Sequence, residues 1–149
     1  MKIKTPLPPT YFIVCLFLAV VLHYFIPIYQ LINFPYRYIG LPLTLLGGIL
    51  NIWSNWIFKQ KKTTIKISQQ SSALIIGGPF KFSRHPMYLG MFLTVLGLAI
   101  FLGSIISFLP AIIFFFIMDI VFISKEEKMM QKTFGQEYLN YKKQVRKWL

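Results

Sequence analysis

The chain has 149 residues, 56% of them hydrophobic and only 13% charged, with 16 Lys and Arg against 4 Asp and Glu for a net charge of +12. A soluble domain carries roughly a quarter charged residues, so this composition excludes that class and leaves one domain's length of membrane protein. A nucleic-acid partner, which a basic chain can suggest, is set aside because the cations flank apolar spans, where membrane orientation and anionic headgroups account for them.

Crossing a bilayer takes roughly 20 apolar residues, with about 17 as the lower limit. The first qualifying stretch predicts a helix over 10–29. It is too long and aromatic for a cleaved signal peptide and lacks a small-residue cleavage site. Its Cys15 is the chain's single cysteine, which excludes an intramolecular disulfide and a thiolate metal cluster. In an apolar mid-helix setting that thiol stays protonated and inert. His23, near the outer end, is assigned a structural role. A second helix is predicted over 38–58, where Gly47-Gly48 can serve close packing. The loop 59–85 is long for so small a protein, and long loops tend to be functional or disordered. Its second half, SSALIIGGPFKFSRHP, is apolar and aromatic with a Gly77-Gly78-Pro79 turn, so a structured interfacial segment is expected. Residues 87–123 then run for 37 positions without Lys, Arg or Glu. That is too long for one crossing and fits two helices, 86–102 and 105–123, turning near Gly103-Ser104. The tail 124–147 predicts an amphipathic helix with a possible break at Gly135. Met130, Phe134, Tyr138, Tyr141 and Val145 form its apolar stripe, able to lie on the membrane or cover the loop.

The expected fold is an all-α integral membrane protein, a single domain over 1–149, with about four transmembrane helices, a structured cytoplasmic loop and a C-terminal amphipathic helix. Cation placement tests it independently. Two Lys precede the first helix, six cations follow the second and seven follow the fourth, while only Arg37 falls on the other side. Four crossings thus put fifteen of sixteen cations on one face, and the positive-inside rule places both termini in the cytoplasm, in a prokaryotic inner membrane.

Polar residues gather at that cytoplasmic boundary. Pro86 suits the first turn of a helix, which leaves Arg84 and His85 beside free backbone N–H groups, a favourable place for an anionic ligand group. The plainer reading is a membrane-insertion cap with Arg84 on headgroups. Glu126 and Glu127 are two of only four acids. They are either solvated helix-start acids pairing with Lys128 or Lys132, or part of the same site. Asp119, one turn from the cytoplasmic end of the fourth helix, is a candidate supporting partner within reach of Arg84 or interfacial water.

GPFKFSRHPMYLG at 78–90 and EEKMMQKTFGQEYLNYKKQV at 126–145, in that order and at that spacing, resemble the integral membrane methyltransferases. That superfamily includes isoprenylcysteine carboxyl methyltransferases and phospholipid N-methyltransferases, and the resemblance covers about 70–149. It implies S-adenosylmethionine (SAM) bound on the cytoplasmic side, no metal, and a lipophilic or lipid-like acceptor arriving from the bilayer. Carried over by position, the cofactor contacts are Ser72, Ala73, Leu74, Ile75, Phe80, His85, Pro86, Met87, Tyr88 and Glu126. The chemistry of an amino-acid sulfonium agrees. Glu126 or Glu127 suits its ammonium, Arg84, His85 and the helix N-terminus suit its carboxylate, and Phe80 and Tyr88 offer flat surface to an adenine.

The chain departs from the superfamily at two points. Isoprenylcysteine carboxyl methyltransferases carry an Arg, associated with the substrate carboxylate, where Phe122 stands here, which points away from a prenylcysteine acceptor. In their C-terminal V-x-R-x-x-P pattern, Lys147 takes the Arg position and the chain reaches Leu149 without the Pro. Nothing in the sequence sets the methylated atom, a general base or the oligomeric state. Two competing classes are a small four-helix transporter, which needs a mid-membrane acid that the first three helices lack, and a non-catalytic relative retaining the fold.

Overall fold

The computed structural model describes residues 7–26, 28–60 and 74–149. Among them there are helices but no strand, only an isolated bridge between Gln30 and Ser104. Helix α1 is Pro8–Phe25, ending short of the expected residue 29 because Pro27 disfavours helical backbone at the residue before it. A tight 3-10 turn, Tyr36–Ile39, leads into α2, Gly40–Gln60. A second such turn, Gly78–Lys81, precedes α3, Pro86–Leu102. After a third, Ile105–Ser107, α4 covers Phe108–Ile117 and continues through a π-helical segment, Met118–Ile123, into α5, Ser124–Phe134. The last helix, α6, is Gln136–Gln144.

These elements correct the expected boundaries at the C-terminal end. The predicted 105–123 and 124–147 helices are one rod from Ile105 to Phe134 and a separate α6. No Gly or Pro lies between Ala111 and Phe134, so nothing stops the helix where its apolar stretch ends at Ile123. Gly135 stops it, at φ +52, a conformation other residues rarely adopt. The predicted turn at Gly103 is present, with φ +77 and its N–H bonded to the Ala99 carbonyl.

Among the described residues, three helices are long and apolar enough to cross a membrane: Pro8–Phe25, Tyr36–Gln60 and Ile105–Phe134. The fourth, α3, has 17 residues and rises about 25 Å, short of a core of about 30 Å. It is held against α2 by backbone contact. A Cβ at Gly47 would lie 2.5 Å from the Gly90 carbonyl oxygen, and one at Gly97 would lie 2.6 Å from the Thr44 nitrogen. Gly40 meets Gly97 in the same way, so α2 and α3 run antiparallel with glycines at both ends of the seam. Across it the Asn51 amide donates to the Met87 carbonyl at 3.1 Å. Of the predicted Gly47-Gly48 pair only Gly47 serves this contact; Gly48 faces open space. The core between α1, α3 and α4 is Cys15, Val95, Phe114, Met118 and Phe122, with Tyr11 edge-on to Phe122 at 5.5 Å.

At the end opposite the motif residues, His23 bonds Ser104 at 2.9 Å, Ser104 bonds Ser107 at 2.6 Å, and Ser107 donates to the Ala19 carbonyl. Arg37 donates to the Phe101 carbonyl at 3.0 Å and lies 5.7 Å from its ring centroid. The one cation expected on this side therefore caps the carbonyl end of α3, where the helix dipole favours positive charge.

Candidate functional site

The loop before α3 is pinned from the C-terminal side. The turn Gly78–Lys81 buries Phe80, whose ring meets Phe58 of α2 edge-on at 5.4 Å. Its carbonyl accepts a 2.6 Å bond from the Tyr141 hydroxyl of α6. The Arg84 N–H donates to the Arg146 carbonyl at 3.0 Å, and the Ser83 hydroxyl donates to the Lys147 carbonyl and accepts from the His85 N–H. Pro86 then starts α3, leaving Arg84 and His85 at its mouth.

The ends of the α3–α4–α5 hairpin meet in a charge cluster. Arg84 Nη2 lies 2.8 Å from Glu127 Oε1, with side chains 7% and 12% exposed. Glu127 Oε2 accepts from Lys142 Nζ at 2.9 Å. His85 lies 3.5 Å from Glu127 Oε1 through Nε2 and 3.8 Å from Glu126 Oε2 through Nδ1. Burial works to raise the Glu127 carboxyl, but the nearby His85 imidazole, the hydrogen bond from Lys142 and the charges of Arg84 and Lys142 outweigh it and hold it down to about 2. Arg84 is therefore not on headgroups, and Glu127 is not a solvated acid with Lys128 or Lys132. A pairing across 43 positions of chain (127 minus 84) replaces both readings.

Among the described residues, six buried polar atoms here have no hydrogen-bond partner: Arg84 Nε and Nη1, His85 Nε2, Glu126 Oε2, Glu127 Oε1 and the Tyr138 hydroxyl. Glu127 Oε1 is within ion-pair range of Arg84 but off hydrogen-bond alignment. Buried polar groups are nearly always satisfied in folded proteins, and a cluster of six is one that polar atoms of another molecule can satisfy. Of the residues that carry them, Arg84, His85, Glu126 and Tyr138 line a cleft of about 40 Å³. Leu74, Ile75, Phe80, Arg84, His85 and Glu126 line it, as predicted residues brought together. Phe58, Met130, Tyr138 and Tyr141 complete the lining without having been proposed as contacts. The signal for the tyrosines was their spacing on the apolar stripe. Pro86, Met87, Tyr88 and Glu127 do not line the cleft: Met87 offers its carbonyl to Asn51, and Tyr88 stacks on His85 at 5.9 Å. Ser72 and Ala73 lie outside the described residues. No group of three His, Cys, Asp or Glu among the described residues could hold a metal ion.

The family model described as "Phospholipid methyltransferase" matches residues 35–137, from the turn before α2 into α6. The chain belongs to the phospholipid methyltransferase family. It is an integral membrane protein of that family, and the matched span contains Arg84, His85, Glu126 and Glu127. An uncharacterized protein of Haemophilus influenzae is 38% identical over 63 residues, covering 42% of this chain and all of that protein. The Protein-S-isoprenylcysteine O-methyltransferase of Saccharomyces cerevisiae is 33% identical over 85 residues, covering 54% of this chain and 34% of the yeast protein. The solved structure of the eukaryotic intramembrane Ras methyltransferase ICMT (isoprenylcysteine carboxyl methyltransferase) shares the fold, with a TM-score of 0.65 at 23% identity over 95% of this chain and 51% of that one. The chain thus spans about a third and about half, respectively, of those two longer proteins.

In this family member the C-terminal strap adds a feature the sequence did not signal. Trp148 donates its indole N–H to Asp119 Oδ1 at 2.9 Å, and Lys147 Nζ lies 2.7 Å from the same oxygen. The indole also stacks on Phe115 at 4.8 Å. Asp119 was expected near Arg84 or interfacial water; its partners are instead the strap that carries Arg146 and Lys147 over the loop.

Proposed function

We propose that this chain is an S-adenosylmethionine-dependent methyltransferase acting on a lipophilic or lipid-like acceptor presented from the bilayer. In this reading residues 1–149 form one domain of four crossings, with site and termini on the cytoplasmic face of a prokaryotic inner membrane. Family membership supports the reaction class, and the cation distribution supports the orientation. The observation that carries the cofactor reading is the set of unpartnered buried atoms on Arg84, His85 and Glu126. Their polarity matches an amino acid: a carboxylate acceptor for an ammonium, and guanidinium and imidazole groups for a carboxylate.

The two acids divide the work. Glu127 is committed to Arg84 and Lys142, so it fixes the guanidinium, and Glu126 Oε2 is left free to take the ammonium. Phe80, Ile75 and Met130 offer the apolar wall that an adenine needs. When bound, the cofactor supplies a methyl group made electrophilic by a sulfonium. The residues around it orient the donor and exclude water, which for an in-line displacement is most of what a protein contributes. Asp119, bonded to Lys147 and Trp148, is not a free mid-membrane acid, which removes support from a proton-coupled transporter.

Calorimetric titration of SAM into detergent-purified full-length protein tests the reading. Wild type is expected to bind in the micromolar to low-millimolar range, and Glu126→Ala and His85→Ala more weakly. Absence of affinity in the wild type sinks it.

A further inference from the structure

Two tyrosines stand three residues apart on α6, both almost wholly buried, and the fold treats them differently. The Tyr141 hydroxyl donates to the Phe80 carbonyl at 2.6 Å. The Tyr138 residue is 2% exposed, yet its hydroxyl has no partner. A phenylalanine would fill the same space without burying an unsatisfied hydroxyl, which is costly. Tyr138 lines the same cleft as Arg84, His85 and Glu126. Burial first, then the carboxylates of Glu127 and Glu126, push its pKa up against the opposing Arg84 charge, so it stays protonated and available as a donor. Arg84 Nε and Nη1, also buried and unpartnered, are donors as well. Tyr138 and Arg84 thus hold spare donors beside this cleft, and a ligand carboxylate can accept from both.

We propose that Tyr138 is a ligand contact of this cleft, its hydroxyl donating beside the Arg84 guanidinium to the carboxylate of the methyl donor's amino-acid end. This rests on the SAM reading above. Tyr138 lies one residue beyond the span that the family model matches, and the sequence placed it on an apolar stripe and inside the 126–145 block without giving it a ligand role.

The test compares full-length wild type, Tyr138→Phe and Tyr141→Phe in detergent, by thermal unfolding and by titration with SAM and with decarboxylated SAM. Tyr138→Phe is expected to unfold at or above the wild-type temperature without ligand, because it loses no protein hydrogen bond. It should bind SAM about 10- to 100-fold more weakly, the loss of one hydrogen bond to a charged group, and discriminate less against decarboxylated SAM. Tyr141→Phe should unfold at lower temperature without ligand, which shows that the assay detects a lost structural bond. The proposal is overturned if Tyr138→Phe is destabilised without ligand, if it binds SAM within twofold of a wild type that binds, or if removing the carboxylate costs both proteins equally. A wild type without affinity for SAM overturns the cofactor reading and this proposal together.

Discussion

Glu127→Gln tests the weld between the two halves of the site. The substitution keeps the shape but removes the only carboxylate within ion-pair range of Arg84, whose side chain is 7% exposed. A carboxyl held at about 2 rather than 4.5 corresponds to about 3 kcal/mol favouring the charged form, at about 1.36 kcal/mol per pKa unit. Lys142 is 41% exposed, so its share is partly screened by water, and a loss of about 2–3 kcal/mol at neutral pH is expected. For a chain of this size that is roughly 5–10 °C in Tm. The sign with pH follows from the depressed value. The stabilisation is full above pH 4.5, falls as pH drops and is lost as it passes through about 2. The gap between wild type and variant should therefore close over that window. Replacing Arg84 by Met in the Glu127→Gln background should recover part of the loss, since the orphaned buried charge is the main penalty. Thermal unfolding from pH 3 to 8 decides it. A Tm within about 1 °C of wild type at pH 7, or losses that simply add in the double variant, would refute the reasoning.

Gly97→Ala places a Cβ against the Thr44 backbone and should cost about 1–3 kcal/mol, whereas Gly48→Ala faces open space and should be neutral in the same unfolding assay. Asp119→Leu removes the acceptor of Trp148 and the partner of Lys147; hydrogen exchange at the Arg84 amide, bonded to the Arg146 carbonyl, should accelerate as the strap loosens, and unchanged protection would count against the strap. Phe122→Arg restores the residue carried by isoprenylcysteine carboxyl methyltransferases, but Phe122 is 4% exposed in the core against Tyr11. Burying an unpaired cation there costs several kcal/mol, so the variant should unfold at lower temperature and gain no methyl transfer to a prenylcysteine; a gain at unchanged Tm would refute the placement.

What was legible in the sequence is what depends on composition or on local chain stiffness. The apolar helices, the Gly103 turn and the meeting of RHPMY with the Glu pair follow from hydropathy, one turn residue and a hairpin of the right length. Residues that act across the fold were not legible. Nothing local distinguishes Glu126 from Glu127, yet Glu126 keeps an oxygen without a hydrogen bond while Glu127 is bound by groups 43 residues back and 15 residues on (127 minus 84, 142 minus 127). Gly40, Gly90 and Gly97 carry no signal that separates them from Gly48, because only the partner helix's backbone does so. Trp148 carries no local signal either, since its contacts, Phe115 and Asp119, lie about 30 positions back along the chain.

The π-helical segment gives the division between the two acids a local cause. Ala111, Phe114, Met118 and Phe122 face the core at steps of three and four, and continuing by fours reaches Glu126 and then Met130, both in the cleft lining. In an unbroken α-helix a run of fours drifts around the axis, because a turn takes 3.6 residues. A π turn bonds i to i+5 and takes up an extra residue, so it offsets that drift where the rod leaves the apolar zone. The Asp119 carbonyl also accepts the Ser124 hydroxyl at 2.9 Å, a side-chain bond across the π turn. Glu126 is thereby kept in line with the buried face. Glu127, about 100° further round a regular α-helix, is turned towards Arg84 and Lys142. A single residue of helical register thus separates an acid open to a ligand from one that holds the site together.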